Sequence, residues 1–427
     1  MASQGMRFTE FYVAAEVCTP SRAALLTGRY PIRSGMCHDQ HRVLRRNSRG
    51  GLPPGEVTLA QSLKSRGYAT GCVGKWHLGN YMNVPEHHPR RHGFDFYVGL
   101  PHSNDMNPVA GKTPKGAPAM LDQDPEWWRP ALYRNEELLE QPTDQSRLTR
   151  RYTEEAVRFI GDHAGAPFFL YLAHTFPHVP LFASDSFKGK SPRGLYGDVV
   201  EELDWSTGEI LKALREKGLD RKTLVFFTSD NGPWLTQGLA GGSAGLLRDG
   251  KGSTWEGGMR VPGIAWWPGT IPAGKVCRQW ACTMDLFVTG LILAGAPLPN
   301  DRPIDGTDIR PLLTDTGAVE RGAYFYYRGT RLFAARLGRY KAHYMTQSGY
   351  GPTPEKHDPP LLFDLEADPG EGVNVSKAHP EILTAIAQEV ERHQATLKPV
   401  PNQLEETLAL DPEDPNRPLV PSHRETQ

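Results

Sequence analysis

Cys18-Thr19-Pro20-Ser21-Arg22 leads into Ala23-Ala24-Leu25-Leu26-Thr27-Gly28-Arg29, a run with the composition of a helix start. Pro20 suits the first turn, where a missing N–H costs no hydrogen bond. Cys18 is therefore expected just outside a helix N-terminus. Free N–H groups and the helix dipole attract a tetrahedral anion there. Arg22, one turn in, is expected to turn back toward the same anion as a two-pronged donor. A Cys-x-Pro alone is also what an ordinary buried cysteine beside a helix looks like. The longer string separates the two readings.

That string, C-x-P-S-R-x-x-x-L-T-G-R, resembles the signature of the type I sulfatases. The resemblance runs from Gln4 to about Pro399 and is nearest the branch of arylsulfatase A and N-acetylgalactosamine-6-sulfatase. It implies an alkaline-phosphatase-like α/β fold and hydrolysis of aryl, sugar or glycolipid sulfate esters. It also implies oxidation of Cys18 to formylglycine by a formylglycine-generating or other sulfatase-maturing enzyme. Hydrated formylglycine is a geminal diol. One hydroxyl attacks sulfur and takes the sulfate covalently; the other expels it by re-forming the aldehyde.

Further matches carry further roles. In Gly74-Lys75-Trp76-His77-Leu78-Gly79, the resemblance makes Lys75 a sulfate ligand and His77 the group that orients the diol or assists its breakdown. In His174-Thr175-Phe176-Pro177-His178 it makes His178 the residue that contacts sulfate or protonates the leaving oxygen, with His174 behind it. Lys251 matches a second sulfate-binding lysine, and Ser103 a substrate-contacting serine. The Gly250-Lys251-Gly252 loop lacks the spacing of a P-loop. Asp230-Asn231-Gly232 is turn chemistry in its own right. By resemblance Asp230 and Asn231, with the oxygen of residue 18, hold a divalent metal, Ca²⁺ ahead of Mg²⁺. Arg22, Lys75, Lys251 and that metal would then surround one anion. The histidines His87, His88 and His92 read as surface residues.

The related sulfatases begin with an apolar strand ending in Asp-Asp, and no such pair lies before Cys18. The expectation is that this strand and a signal peptide precede Met1, and that the protein is extracytoplasmic: periplasmic, secreted or lysosomal. Two other functions compete. Phosphonate or phosphodiester hydrolases of the same superfamily share C-x-P-x-R. An inactive chain lacking part of the metal site is the other.

Composition excludes more than it assigns. With 48 basic and 49 acidic residues the net charge is −1, so nothing global points to nucleic acid or a membrane surface. No apolar run reaches the roughly 20 residues of a membrane span. Leu286–Leu298 is the longest, and Thr289, Gly290 and Gly295 interrupt it. Besides Cys18 there are Cys37, Cys72, Cys277 and Cys282; Cys277 and Cys282 could pair, or all could stay reduced. Asn374-Val375-Ser376 is a glycosylation sequon.

The 427 residues suffice for two domains. Loop residues 31–54 carry Arg42, Arg45, Arg46 and Arg49, read as solvated. A helix should start at Thr58 with a capping box to Gln61, then a strand over Tyr68–Val73. Residues 101–145 read as a long functional loop. Leu148, Tyr152, Ala156, Phe159 and Ile160 form a helical stripe. Tyr196, Val199, Val200, Leu203, Ile210, Leu211 and Leu214 form a second. Strands are expected at Phe168–Ala173, Leu224–Phe227 and Ile264–Trp267. Alternation of this kind means a mainly parallel sheet covered by helices, with a site at the strands' carboxyl ends. Lys75/His77, His174/His178 and Asp230/Asn231 all fall there. Closely spaced strands after Ala318 and a helix near Glu381–His393 suggest a small antiparallel subdomain. The expected units are therefore 1–317, 318–400 and a mobile tail, 401–427.

Overall fold

A computed structural model describes residues 1–113, 124–351 and 353–409. It opens with β1, Met6–Tyr12, a strand the sequence reading passed over because Arg7, Thr9 and Glu10 interrupt its apolar residues. Helix α1, Cys18–Thr27, ends at Gly28 with φ 68°, the left-handed cap that glycine adopts without a Cβ penalty. Helix α2, Leu59–Lys64, has the expected capping box, with Gln61 N donating to Thr58 Oγ1 and Thr58 N to Gln61 Oε1. Strand β2 is Ala69–Gly74, β3 Phe96–Gly99, β4 Leu132–Arg134 and β5 Glu137–Glu140. The stretch read as one loop over 101–145 thus holds a hairpin; its residues 114–123 lie outside the described residues.

Helix α3, Leu148–Asp162, buries the predicted stripe. Strand β6, Phe168–Ala173, and helix α4, Gly194–Glu216, follow. On α4 Val200 faces solvent instead of joining the stripe. Next come β7, Val225–Thr228, α5, Glu256–Met259, β8, Arg260–Trp266, β9, Lys275–Cys277, β10, Ala281–Cys282, α6, Thr283–Leu293, and α7, Arg310–Leu313. None of the described helices is long and apolar enough to cross a membrane.

These strands form two sheets, ordered β10-β1-β8-β7, with β9 also on β1, and β5-β4-β3-β2-β6. Pairing is parallel for β2 with β3 and β6, and for β1 with β9 and β10. Strand β8 runs antiparallel to both β1 and β7. The reason is its entry point. The chain reaches β8 directly from Glu256, with no crossover helix to carry it back, so it must run away from the site. Leu170 and Leu172 of β6 and Val225 of β7 pack into one cluster with Trp266 and the inner faces of α3 and α4.

The C-terminal part is a four-stranded antiparallel sheet in sequence order. Its strands are β11, Tyr324–Arg328, β12, Arg331–Leu337, β13, Tyr340–Thr346, and β14, Glu355–Asp364. Helix α8, Pro380–Ala395, packs on it. A buried ionic cluster ties this sheet to the larger part. Lys341 Nζ lies 3.0 Å from both Glu256 Oε1 and Glu371 Oε1, and donates to Thr254 O at 2.8 Å. His343 Nε2 donates to Glu371 at 2.6 Å, and Tyr12 Oη to Glu256 at 2.6 Å.

Two expectations change, and of the two readings left open for the cysteines the reduced one holds. His87, His88 and His92 are buried, not on the surface. His92 packs 5.7 Å from the Trp76 ring, while His87 Nε2 and His88 Nε2 donate to Arg49 O and Asn135 O. All five cysteines are free. Cys277 pairs with Phe8 and Cys282 with Tyr12 along the same strand. That separation is about 13 Å at strand rise, beyond the roughly 7 Å a disulfide spans. Residues 401–409 are held against the 34–49 loop, through Gln403 N to Gly35 O and Arg49 N to Glu406 O, with Leu404 buried. Of the stretch read as a tail, 410–427 lie outside the described residues.

Candidate active site

Cys18 is the first residue of α1, one position further into the helix than expected, and is buried. Its Sγ occupies the place that the oxygens of formylglycine would take. Lys251 Nζ donates to it at 3.5 Å, and Asn231 Oδ1 lies 3.5 Å from it. Burial opposes ionisation of this thiol, yet Lys251 and Lys75, with side-chain interactions of His178 and His77, outweigh burial and hold it well below the ordinary range. The surroundings therefore stabilise negative charge at residue 18.

Each partner arrives from a strand end or the loop after it. Lys75 follows β2, and its N–H donates to Ala173 O at 2.7 Å, which locks it to the end of β6. Burial, reinforced by Arg22 and Lys251 against the pull of Cys18, pushes its ammonium pKa down. Lys251 is shifted up: burial works against it, but Cys18, Tyr350, Asp230 and Asp105 prevail. His77 has φ 60°, a left-handed conformation that a non-glycine residue holds at a cost of order 1–3 kcal/mol. Its Nε2 donates to Leu44 O at 2.8 Å, so Nδ1 is the unprotonated nitrogen, buried and without a hydrogen-bond partner among the described residues. Burial, then Lys75, pushes its pKa down to about 4, so the ring is neutral and can take a proton. His178 Nδ1 donates to Val179 O at 2.6 Å, which orients its Nε2.

Other expected residues sit differently. Arg22 does not turn back to the anion position. Its Nε and Nη2 reach Asp230 Oδ2 at 2.9 and 2.8 Å, and Nη1 donates to Lys75 O at 2.7 Å. A carboxylate and a carbonyl within reach satisfy the guanidinium, so it braces two site residues. His174 bonds Ser206 Oγ at 3.0 Å, and burial pushes its pKa down to about 4. It supports the loop from behind. Ser103 is buried and its Oγ has no partner among the described residues.

Asn231 Nδ2 donates to Gly232 O at 2.9 Å, which turns Oδ1 toward Cys18. Asp230 keeps Oδ1 free of the Arg22 contact. These oxygens are hard-cation donors and fit a divalent metal by type. Among the described residues no group of three or more His, Cys, Asp or Glu side chains gathers into a metal cluster.

Sequence reasoning missed the aromatic side of the site. Trp234 lies 5.5 Å from the His178 ring, and Lys251 Nζ stands 4.6 Å from the Trp234 centroid. Tyr350 stacks on Trp234. Arg42, read as solvated, pairs with the buried Glu16 at 2.7 Å and donates to Gly349 O and Gly252 O. A tryptophan two residues after Asp-Asn-Gly was the available signal; Tyr350, between two C-terminal strands, had none.

Comparison with known proteins identifies the family. The family model described as Sulfatase matches residues 1–296, and that for the C-terminal region of aryl-sulfatase matches 319–418. Arylsulfatase A of Bos taurus is 44% identical, over 91% of this chain and 80% of its own length. N-acetylgalactosamine-6-sulfatase of Sus scrofa is 42% identical, over 95% of this chain and 82% of its own. Among solved structures, a sulfatase from Pseudoalteromonas sp. superposes with a TM-score of 0.80 at 29% identity, covering 92% of this chain and 83% of that one.

Proposed function

This chain belongs to the sulfatase family and hydrolyses sulfate esters, and we propose that it does so through formylglycine made from Cys18. Family membership fits both formylglycine and a divalent metal. What supports the assignment to residue 18 is the 3.5 Å contact of Lys251 Nζ with Cys18 Sγ, inside a buried cluster that stabilises negative charge at that atom.

In this reading Lys75 and Lys251 bind the non-bridging sulfate oxygens and stabilise the charge that grows on them during transfer. His77, neutral at physiological pH, takes a proton at Nδ1 from the group at residue 18. His178 contacts the sulfate or protonates the leaving oxygen. Ser103 Oγ, buried and unpartnered, contacts the substrate. Arg22 keeps Asp230 and the Lys75 backbone in place. Asp230, Asn231 and the oxygen of residue 18 would hold the metal, Ca²⁺ in preference to Mg²⁺, which supplies Lewis-acid charge against the sulfate. Residues 1–317 would carry the chemistry and 318–400 would close the site from the C-terminal side. Maturation requires a formylglycine-generating or other sulfatase-maturing enzyme, and the working compartment is extracytoplasmic.

The test is mass spectrometry of the peptide containing residue 18, from a host that has the maturing enzyme. The aldehyde or its hydrate is expected, and an intact thiol in active protein would overturn the assignment. A panel of aryl sulfate, phosphonate and phosphodiester should show turnover of the sulfate.

A further inference from the structure

The loop that carries Lys251 is held from two sides. On the first, Lys251 N donates to Pro233 O at 2.8 Å and Gly252 N donates to Glu16 O at 2.9 Å. Gly252 has φ 93°, in the left-handed region, so the chain turns as soon as Lys251 is placed. Glu16 shortly precedes Cys18 in the chain. The bond from Gly252 therefore ties the approach to residue 18 to the Lys251 loop.

Two guanidinium groups fasten the other side. Arg42 donates to Gly252 O at 2.9 Å and to Gly349 O at 3.0 Å. Arg328, the last residue of β11, donates to the same two carbonyls, at 3.0 and 3.2 Å. Each fork spans both oxygens, so the four bonds fix the Lys251 loop against the turn between β13 and β14. Gly349 N also donates to Asp249 Oδ2 at 3.0 Å, and a Cβ on Gly349 would stand 2.3 Å from Lys251 O.

This arrangement has an electrostatic cost. Glu16 meets the charge of Arg42 at 2.7 Å, whereas Arg328 has no carboxylate at ion-pair distance among the described residues. Burial, then the neighbouring Arg42, pushes the Arg328 pKa down to about 10. The bonds hold two like charges side by side, and what they secure is the place of Lys251, whose Nζ is 3.5 Å from Cys18 Sγ.

We propose that Arg328 is a positioning residue: by holding Gly252 O and Gly349 O together with Arg42, the C-terminal sheet sets the distance between Lys251 and residue 18. The inference rests on the sulfatase reading of that site. A displacement of about 1 Å can cost about 10² in rate. A lysine at this position would keep the charge yet reach one carbonyl only.

Two measurements test it. The first is turnover of 4-nitrophenyl sulfate by matured wild type, Arg328→Met, Arg328→Lys, Lys251→Ala, and Lys251→Ala combined with each Arg328 change, with melting curves as a control on folding. Arg328→Met should lower kcat about 10²-fold, and Arg328→Lys should recover less than about tenfold of that loss. In the Lys251→Ala background either change should cost less than about twofold, because the group it places is gone. Full recovery in Arg328→Lys would mean that charge alone matters. Equal losses with and without Lys251 would mean general structural damage. Either overturns the proposal, as does unchanged kcat in Arg328→Met. If Arg328→Met does not fold, the Arg328→Lys pair decides by the same comparison. The second is calorimetric binding of inorganic sulfate to the same proteins, which needs no turnover. Arg328→Lys should weaken it about tenfold, and less than about twofold once Lys251 is alanine. Weaker binding in Lys251→Ala but not in Arg328→Lys would overturn the positioning role and keep the sulfate site. Wild-type behaviour of Lys251→Ala in both measurements would reject the sulfate role of Lys251 and the proposal with it.

Discussion

Arg22 and Asp230, 208 residues apart, share an ion pair of 2.8 Å while the same guanidinium holds the carbonyl of Lys75 at 2.7 Å. One side chain on α1 therefore sets the spacing between the proposed metal ligand and the proposed sulfate ligand. Arg22→Lys keeps the charge but cannot make both contacts. Turnover should fall about 10²-fold, the scale for a displaced charge donor. Stability should fall about 1–3 kcal/mol, as for a buried polar partner left unmade. Urea unfolding and a double-mutant cycle with Asp230→Ala check both, and strict additivity would count against the brace.

Lys75→Ala and Lys251→Ala should each lower kcat by about 10²–10³. Both ammonium groups converge on the residue-18 position, so each loss removes a separate charge from the same anion. Steady-state kinetics on an aryl sulfate, with melting curves as control, decides. Full activity in either variant would mean that the sulfate binds elsewhere.

The buried cluster at Lys341 predicts a stability effect without a chemical one. Lys341 and Glu371 side chains are both 0% exposed, and Glu256 is as deeply buried. Lys341→Met removes the cation that the two carboxylates share, leaving Glu256 with Arg260 at 3.5 Å and Glu371 with His343, and should destabilise by about 3 kcal/mol. Adding Glu371→Gln should recover part of that loss. Urea midpoints of the single and double variants provide the measurement.

Stability should also depend on pH through the buried histidines. Burial pushes His92, His102, His174 and His393 from 6.5 down to about 4. Between those values the unfolded chain binds protons that the folded one refuses. The contribution is therefore complete above pH 6.5 and is lost as pH falls toward 4. Melting temperature should drop across that window, and His92→Phe, which removes a ring whose two nitrogens both lack partners, should flatten the slope. A melting temperature independent of pH from 7 to 4 would refute neutral buried rings.

Local chemistry was legible in the sequence wherever it depends on near neighbours. The Thr58–Gln61 capping box and the stripe from Leu148 to Ile160 are set by residues a turn or two apart, and both appear as read. The strings around Cys18, Lys75, His178, Asp230 and Lys251 likewise marked the loops that meet at one place. Partners were not legible. Which carboxylate Arg22 meets, whether His92 lies under Trp76, and which way β8 runs depend on contacts across the chain that no local pattern encodes. The Trp234–Tyr350 stack is the clearest case. Its rings come from a loop after β7 and a turn between β13 and β14, and only the docking of the C-terminal sheet, held by the Lys341 cluster, brings them together. Side-chain type and spacing state what a residue can do; burial and the charge opposite it, both products of tertiary packing, decide what it does.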